Sequence, residues 1–145
     1  MSSIQSNKLS PLTGEPERDF TYHIFSPYRV CPLGAHVDHQ HGLVTGFAIN
    51  KGVDLWFNVR EDSQVNLTSL TFEGEVHIDL NKRVEIREKH WGDYARGAKY
   101  ALKKRFELTH GIDGVLQGSL PVGGLSSSAA VLIAYVMAFA KANGI

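Results

Sequence analysis

Residues 112–145 decide the fold, and they read IDGVLQGSLPVGGLSSSAAVLIAYVMAFAKANGI. The pattern predicts a strand over residues 112–120, then a Gly-rich turn, and then an apolar helix that stops near Asn143 and Gly144. The apolar run 129–140 is twelve residues long, whereas spanning a bilayer takes about 20. We therefore expect a buried core helix rather than a membrane span.

A second helix is predicted upstream of this unit, because apolar residues recur there at helical spacing. The periodic positions are Trp91, Tyr94, Ala95, Ala98, Leu102 and Phe106. Asp93 lies in the first turn and the basic run 103–105 in the last, where each suits the helix macrodipole. We expect this basic run to be solvated and the helix to end at His110 and Gly111.

The first half of the chain carries the two-residue alternation of strands. The inward positions are Phe20, Tyr22, Ile24, Val53, Leu55, Phe57, Val59, Val65, Leu67, Val76, Ile78 and Leu80. Residues 1–19 show no periodicity, and we expect them to form a flexible leader. We expect irregular structure in the stretch that Pro27 and Pro32 bracket and that continues to Gly42. The order of elements favours an α+β fold with a largely antiparallel sheet and its helices on one face.

Composition excludes several classes of protein. The 145 residues carry 15 Lys+Arg and 15 Asp+Glu, and 43% are hydrophobic, so we expect neither intrinsic disorder nor a nucleic-acid partner. The single cysteine, Cys31, excludes an internal disulfide and fits a reducing compartment; we expect it to be a small core residue. Residues 1–10 are polar and lack the apolar segment of a secretory signal, so we expect a cytoplasmic protein without a membrane partner.

The turn before the apolar helix, PVGGLSSSAA at residues 121–130, has the composition of an anion site. N–H groups at a helix N-terminus lack internal partners and carry partial positive charge. Gly123 and Gly124 would let a phosphate approach the backbone, and one of three hydroxyls could bind a magnesium ion that bridges phosphates. A plain turn with a serine N-cap explains the pattern equally well. The Walker A and G-x-G-x-x-G patterns are absent.

A second polar segment, residues 26–42, reads SPYRVCPLGAHVDHQHG. Arg29 could clamp a phosphoryl group or an anionic nucleophile, and His36 and Asp38 could bind sugar hydroxyls. Two alternatives stay open: a solvated loop, and a metal site whose spacing matches no standard ligand geometry. The ligands of that metal site would be His36, Asp38, His39 and His41. We favour exposed loop positions for the last two histidines.

Together the two segments resemble the first two of three motifs of the GHMP small-molecule kinases, the superfamily of galactokinase, homoserine kinase, mevalonate kinase and phosphomevalonate kinase. Residues 124–129 match the core of the second motif, P-x-x-x-G-L-S-S-S-A, with a lead-in one residue shorter. Residues 28–39, YRVCPLGAHVDH, align with the galactokinase signature G-R-V-N-L-I-G-E-H-T-D-Y. Their order and separation also suit that superfamily.

The resemblance implies the ribosomal-S5-domain-2-like fold of a GHMP kinase N-terminal domain over residues 20–145. It implies a small-molecule sugar as substrate and ATP and Mg²⁺ as cofactors, with Arg29 acting on the anomeric hydroxyl and the transferred phosphoryl group. The implied sugar-binding positions are Arg29, Ala35, His36, Val37 and Asp38. The implied ATP-phosphate positions are Val122, Gly123, Gly124, Leu125, Ser126, Ser127 and Ser128, the last being the implied magnesium contact.

Departures from galactokinases refine the implied substrate. Ala35 replaces a Glu that contacts the sugar near its 6-hydroxyl, which removes repulsion against a 6-carboxylate and favours galacturonate over galactose. Residues 31–40 and 91–102 look like plant-type galacturonokinase. Arg96 in the second string either faces the ligand or, as we favour, is a solvated surface residue. Leu132 replaces a Glu that is common after the triple serine, so we assign no metal carboxylate.

The family's third motif and the Asp implied as its catalytic base lie downstream of the second motif, beyond residue 145. We therefore expect a sugar 1-kinase as the parent protein and inactivity of these residues alone, since phosphoryl transfer needs several groups at once. We also expect self-association through the apolar face of the last helix, and packing of the polar loop by Tyr28. A non-catalytic sugar- or ATP-binding sensor and an interaction fragment are the alternatives.

Overall fold

Two sheets and two long helices make up the computed structural model, which describes residues 7–9, 18–34, 37–83, 88–120 and 127–145, with 7–9, 18 and 38 described by backbone alone. The elements in chain order are β1 (Asn7–Leu9), β2 (Arg18–Phe20), β3 (Tyr22–Leu33), a short 3-10 helix (Asp38–Gln40), β4 (Thr45–Val59), β5 (Gln64–Ser69), β6 (Val76–Asp79), α1 (Asp93–Lys103), β7 (Ile112–Gly118) and α2 (Ser127–Ala142).

The central sheet has five strands in the order β3-β4-β7-β5-β6 within the described residues. Its strands pair antiparallel except for β5 and β7, which are parallel. The alternation in β4 buries Val53, Leu55 and Phe57 on the face against which α2 packs, and α1 packs on α2. The predicted α+β fold with a largely antiparallel sheet is therefore confirmed.

Pro27 and Pro32 lie inside β3, so the predicted irregular stretch between them is wrong. A proline lacks the N–H that a central strand would need. β3 is the edge strand of the sheet, where that loss is tolerated. The register with β4 shifts between Pro27 and Arg29 and again between Val30 and Leu33, and such bulges accommodate residues that break the ladder.

β1 and β2 form an antiparallel pair, and β1 falls within the segment for which the sequence predicts a leader. Phe20 closes β2 as a buried residue. The Asn58 side chain accepts a hydrogen bond from the Thr21 N–H at 2.8 Å and donates to the Asp19 carbonyl at 3.0 Å. These anchors come from a distant strand, and periodicity within residues 1–19 could not reveal them.

α1 ends at Lys103, several residues before the predicted end at His110 and Gly111. The Leu102 carbonyl accepts the N–H groups of both Arg105 and Phe106, which closes the helix in a turn. Phe106 is consequently exposed. The basic run 103–105 is exposed, as predicted, and the Lys103 ammonium also donates to the Leu80 carbonyl at 2.5 Å.

α2 has the bounds and the stop signal that the sequence predicts. Gly144 follows it with φ +68°, a left-handed conformation that glycine adopts without strain. One side of α2 is fully buried; its members are Ala134, Tyr135, Ala138 and Phe139. The other side exposes Leu132, Ile133 and Met137 by 37%, 52% and 50%. Neither described helix is long and apolar enough to cross a membrane.

Candidate functional site

A cavity of about 1050 Å³ lies where the first turns of α1 and α2 approach the sheet. Its walls are largely aromatic and aliphatic; they include Tyr28, Phe72, Trp91, Tyr94, Leu116 and Leu120. Small-molecule sites are typically apolar clefts of roughly 300–1,000 Å³ with a few converging polar groups. The cavity has the size and the character of such a site.

We refer to the start of α2, where Ser127 and Ser128 contribute to the lining, as the polar end of the cavity. The lining also includes the polar side chains of Glu73, Lys89, His90, Asp93 and Arg96. Ser127 is half-buried and Ser128 is exposed. The Ser128 Oγ lies 2.7 Å from the Tyr94 hydroxyl, a hydrogen bond between the first turns of the two helices. Both described members of the predicted phosphate-binding segment therefore line this largely apolar cavity. Residues 122–126 of that segment lie outside the described residues.

Tyr28 contributes to the wall of the cavity from β3 and is 3% exposed. Burial raises the pKa of Tyr28 and the charge of Asp54 adds to this, against the opposing effect of hydrogen bonds with the backbone of Ser119 and Leu120. A Cβ at Gly118 would lie 3.0 Å from the Tyr28 hydroxyl, so the glycine leaves that hydroxyl its space. Tyr28 belongs to the core and the cavity rather than to the loop after β3.

Arg96 is buried beside the cavity, so the prediction of a solvated surface residue is wrong. Its guanidinium donates to the Glu88 carboxylate at 2.6 Å and to the Asp93 carboxylate at 3.1 Å. These two carboxylates offset the cost of removing the guanidinium charge from water. Helical spacing placed Arg96 on α1. It could not show that Glu88, which precedes the helix, forms an ion pair with Arg96.

Asp93 fixes the loop that leads into α1. Its carboxylate accepts the Glu88 N–H at 3.1 Å and the Lys89 N–H at 2.9 Å. Burial alone would raise the pKa of Asp93, but hydrogen bonds from the backbone of Glu88, His90 and Lys89, and from the Arg96 side chain, lower it. The neighbouring Trp91 indole donates to the Glu73 carbonyl at 3.1 Å. The sequence signalled Asp93 only as an acidic residue in a first helical turn.

Arg29 lies on β3 directly after Tyr28 but on the exposed side of the strand. Among the described residues it is not part of the cavity lining, so the cavity does not bring it together with Ser128. Cys31 is half-buried, and its Sγ donates to the Leu33 carbonyl at 3.6 Å. The expectation that Cys31 is a core residue is therefore wrong.

The loop after β3 holds the remaining predicted sugar-binding positions. Val37 is 38% exposed, and its carbonyl accepts the N–H groups of Gln40 at 3.0 Å and Gly42 at 2.9 Å. His39 and His41 are exposed, as predicted. Ala35, His36 and the side chain of Asp38 lie outside the described residues, and with them half of the alternative metal site. The described part of the chain contains no group of three His, Cys, Asp or Glu side chains that could hold a metal ion.

Comparisons with known proteins relate the chain to a family of kinases. Residues 93–145 match the model of the GHMP kinases N terminal domain. The chain is 45% identical over 139 residues to the galacturonokinase of Arabidopsis thaliana, which covers 83% of this chain and 33% of that protein. It is 36% identical over 112 residues to the galactokinase of Actinobacillus pleuropneumoniae, which covers 76% of this chain and 29% of that protein.

Solved structures of kinases are similar to this fold. The crystal structure of Lactococcus lactis galactokinase complexed with galactose matches 85% of this chain and 33% of that one, with a TM-score of 0.79 and 28% identity. Mevalonate kinase from Methanococcus jannaschii matches 83% of this chain and 39% of that one, with a TM-score of 0.67 and 22% identity, and this likeness concerns the fold alone. The chain spans about one third of the length of the galacturonokinase and galactokinases. It belongs to the GHMP kinase superfamily and corresponds to the N-terminal part of its galactokinase-like members.

Proposed function

We propose that residues 20–145 form the N-terminal domain of an ATP-dependent sugar 1-kinase, which transfers a phosphoryl group to the anomeric hydroxyl of a galactose-type sugar. The observation that carries the proposal is the largely apolar cavity whose lining includes Ser127 and Ser128 on the first turn of α2. The similarity to galacturonokinase and galactokinase supports the sugar class. A cytoplasmic location is part of the proposal and rests on the single, unpaired cysteine.

The division of the cavity suggests how ATP would bind. Its aromatic and aliphatic walls suit the flat, apolar base of a nucleoside. The start of α2 suits the phosphates, because free N–H groups and the helix dipole favour anions there. The hydroxyls of Ser127 and Ser128 add donors at the same end. The apolar and the polar parts of the cavity thus correspond to the two parts of a nucleotide.

Magnesium fits the polar end through oxygen ligands. Mg²⁺ prefers oxygen donors and is usually held by substrate phosphates with few protein ligands. Ser128 offers an exposed hydroxyl at the start of α2 and would be such a ligand. When bound, the ion neutralises charge on the phosphates. The Tyr94 hydroxyl, 2.7 Å from the Ser128 Oγ, would help to keep the serine hydroxyl in place.

The sugar would be bound by the segment after β3, with Arg29, Ala35, His36, Val37 and Asp38 as its contacts. Arg29 is exposed on β3, where a permanent cation can stabilise a developing alkoxide or the transferred phosphoryl group. Ala35 lacks the carboxylate that would repel a 6-carboxylate. We therefore propose galacturonate as the preferred substrate, a choice that the 45% identity to galacturonokinase supports.

The 145 residues by themselves should turn over little substrate. Phosphoryl transfer depends on several groups positioned at once, and the chain spans about one third of its kinase relatives. Binding and turnover are therefore tested separately.

Nucleotide binding is tested on the chain itself by titration calorimetry with ATP and Mg²⁺. We expect saturable binding that Ser128→Ala weakens at least tenfold, since a hydrogen bond to a charged group contributes about 1.5–3 kcal/mol. Ser63→Ala, in the turn between β4 and β5, is the matched control and should leave affinity unchanged. Failure of the unsubstituted chain to bind any nucleotide would contradict the proposed site and leave only an interaction fragment.

Substrate choice is tested in a chimera, in which this chain replaces the matching third of Arabidopsis galacturonokinase. We expect kcat/KM to be higher for galacturonate than for galactose. Ala35→Glu should shift the ratio toward galactose by roughly tenfold or more through like-charge repulsion, and Ala35→Gln, of similar size but neutral, should shift it less. A higher kcat/KM for galactose in the unsubstituted chimera would overturn the galacturonate assignment.

A further inference from the structure

One hydrogen bond joins the two helices that border the cavity. The Tyr94 Oη lies 2.7 Å from the Ser128 Oγ, although the two residues are 34 positions apart. Tyr94 is the second residue of α1 and Ser128 the second residue of α2. Both side chains line the cavity at its polar end. The bond therefore acts at the place where the proposed phosphate site begins.

The chemistry of the pair favours one direction for this bond. A serine hydroxyl has one proton to donate and two lone pairs, and a phenolic hydroxyl is the more acidic donor of the two. When Tyr94 donates, Ser128 accepts through one lone pair. Its own proton then remains for a phosphate oxygen and its second lone pair for a cation. A hydroxyl that donated to Tyr94 instead would have no proton left for the phosphate.

Tyr94 is held firmly enough to orient a partner. It follows Asp93, whose carboxylate accepts the N–H groups of Glu88 and Lys89. Arg96, one turn further along, bonds the same Asp93 carboxylate at 3.1 Å. The first turn of α1 is thus tied down on both sides of Tyr94, and α1 packs against α2. Because the backbone that carries Tyr94 is anchored, its side chain loses little further conformational entropy when it holds the Ser128 hydroxyl.

We propose that Tyr94 is a positioning residue for nucleotide phosphate: its hydroxyl donates to Ser128 and fixes the Ser128 hydroxyl for a phosphate oxygen and its associated cation. This inference rests on the proposed nucleotide site. The ring of Tyr94 lines the apolar part of the cavity, while its hydroxyl acts on the phosphate end through Ser128. The two contributions are separable, because Tyr94→Phe removes only the hydroxyl.

The test compares ATP with adenosine on the full 145-residue chain. We expect Tyr94→Phe to weaken ATP·Mg binding by about three- to tenfold, the range for one lost hydrogen bond, and to leave adenosine affinity unchanged. In a double-mutant cycle, Tyr94→Phe should have no added effect once Ser128 is alanine. Tyr22→Phe, whose ring stacks on Phe57 away from the cavity, is the matched control. Equal losses for ATP and adenosine, or additive effects in the cycle, would overturn the inference.

A second readout needs no ligand. Amide hydrogen exchange in the second turn of α2, whose N–H groups bond to the carbonyls of the first turn, should be faster in Tyr94→Phe than in the unsubstituted chain, with the last turn of α2 unaffected. Unchanged exchange in the second turn would overturn the positioning role. The two proposals fail differently: absence of ATP binding to the unsubstituted chain overturns the proposed function, whereas ATP binding that ignores Tyr94→Phe overturns this inference alone.

Discussion

The guanidinium of Arg96 donates to the carboxylate of Glu88 across 2.6 Å and so ties the first turn of α1 to the loop that precedes the helix. The Arg96 side chain is 9% exposed and that of Glu88 54%, so water screens one end of the pair. Removal of the arginine also takes a cation away from the half-buried Asp93 carboxylate. The pair consequently stabilises both the fold and one wall of the cavity.

Arg96→Met should therefore lower the free energy of unfolding by about 2 kcal/mol, less than the roughly 3–5 kcal/mol typical of a fully buried pair. Urea denaturation measures the difference. Arg105→Met, at an exposed position beyond α1, is the control and should change stability little. Equal stability of the two variants would show that Arg96 is more solvated than its contacts indicate.

Asp93 makes stability depend on pH. Burial opposes its ionisation, but backbone and Arg96 hydrogen bonds lower the pKa of Asp93 in the folded state. A carboxylate with a depressed folded-state pKa stabilises the fold above the unfolded-state value of about 3.9. That contribution is lost as the pH falls through the folded-state pKa. Asp93→Asn should thus cost about 1–2 kcal/mol at pH 6 and much less near pH 2.5.

Denaturant titrations at the two pH values measure this difference, with the exposed Glu107→Gln as control. A penalty for Asp93→Asn that stays constant from pH 6 to pH 2.5 would show that the charge of Asp93 contributes nothing.

Tyr135 predicts a stabilising substitution. It is fully buried on α2 and stacks against Phe139 with ring centroids 6.4 Å apart. Its hydroxyl has no hydrogen-bond partner among the described residues, and burial raises the pKa of Tyr135. Tyr135→Phe keeps the ring and removes the unsatisfied group, so thermal unfolding should show a gain of about 1 kcal/mol. A loss of stability would reveal a partner for the hydroxyl, and exposed Tyr100→Phe should be neutral.

The exposed side of α2 predicts self-association. Ile133 and Met137 lie one turn apart and are 52% and 50% exposed, with Leu132 beside them. Contiguous apolar surface of this kind favours contact with other proteins or with other copies. Sedimentation velocity should show larger species as the concentration rises, and Ile133→Glu should reduce them more than Leu70→Glu in the turn after β5. A monodisperse, cooperatively melting monomer would contradict this expectation.

The sequence predicted the elements whose periodicity is strong and local. α2 could be predicted with its end at Gly144, as could the buried face of β4, because each depends on spacing within one segment. The path of β3 through Pro27 and Pro32 could not be predicted. Prolines are tolerated there only because β3 lies at the edge of the sheet. Burial of Arg96 depends in the same way on contacts between distant segments.

In the candidate site too, the residues of a local motif could be predicted and the contacts between distant elements could not. Ser127 and Ser128 were predicted from a short motif and lie at the polar end of the cavity. The apolar walls were not predicted, since they come from β3, the turn after β5, both helices and β7. The hydrogen bond between Tyr94 and Ser128 joins two of these elements, and no spacing rule in either one indicates it.

Product formation by the chimera with Arabidopsis galacturonokinase tests the central claim most directly. The account predicts that the chimera, given ATP, Mg²⁺ and galacturonate, yields a sugar phosphorylated at the anomeric carbon, as phosphorus NMR would show, and that Ser128→Ala reduces the rate at least tenfold. A folded chimera that binds ATP but forms no anomeric phosphate with either galacturonate or galactose would contradict it.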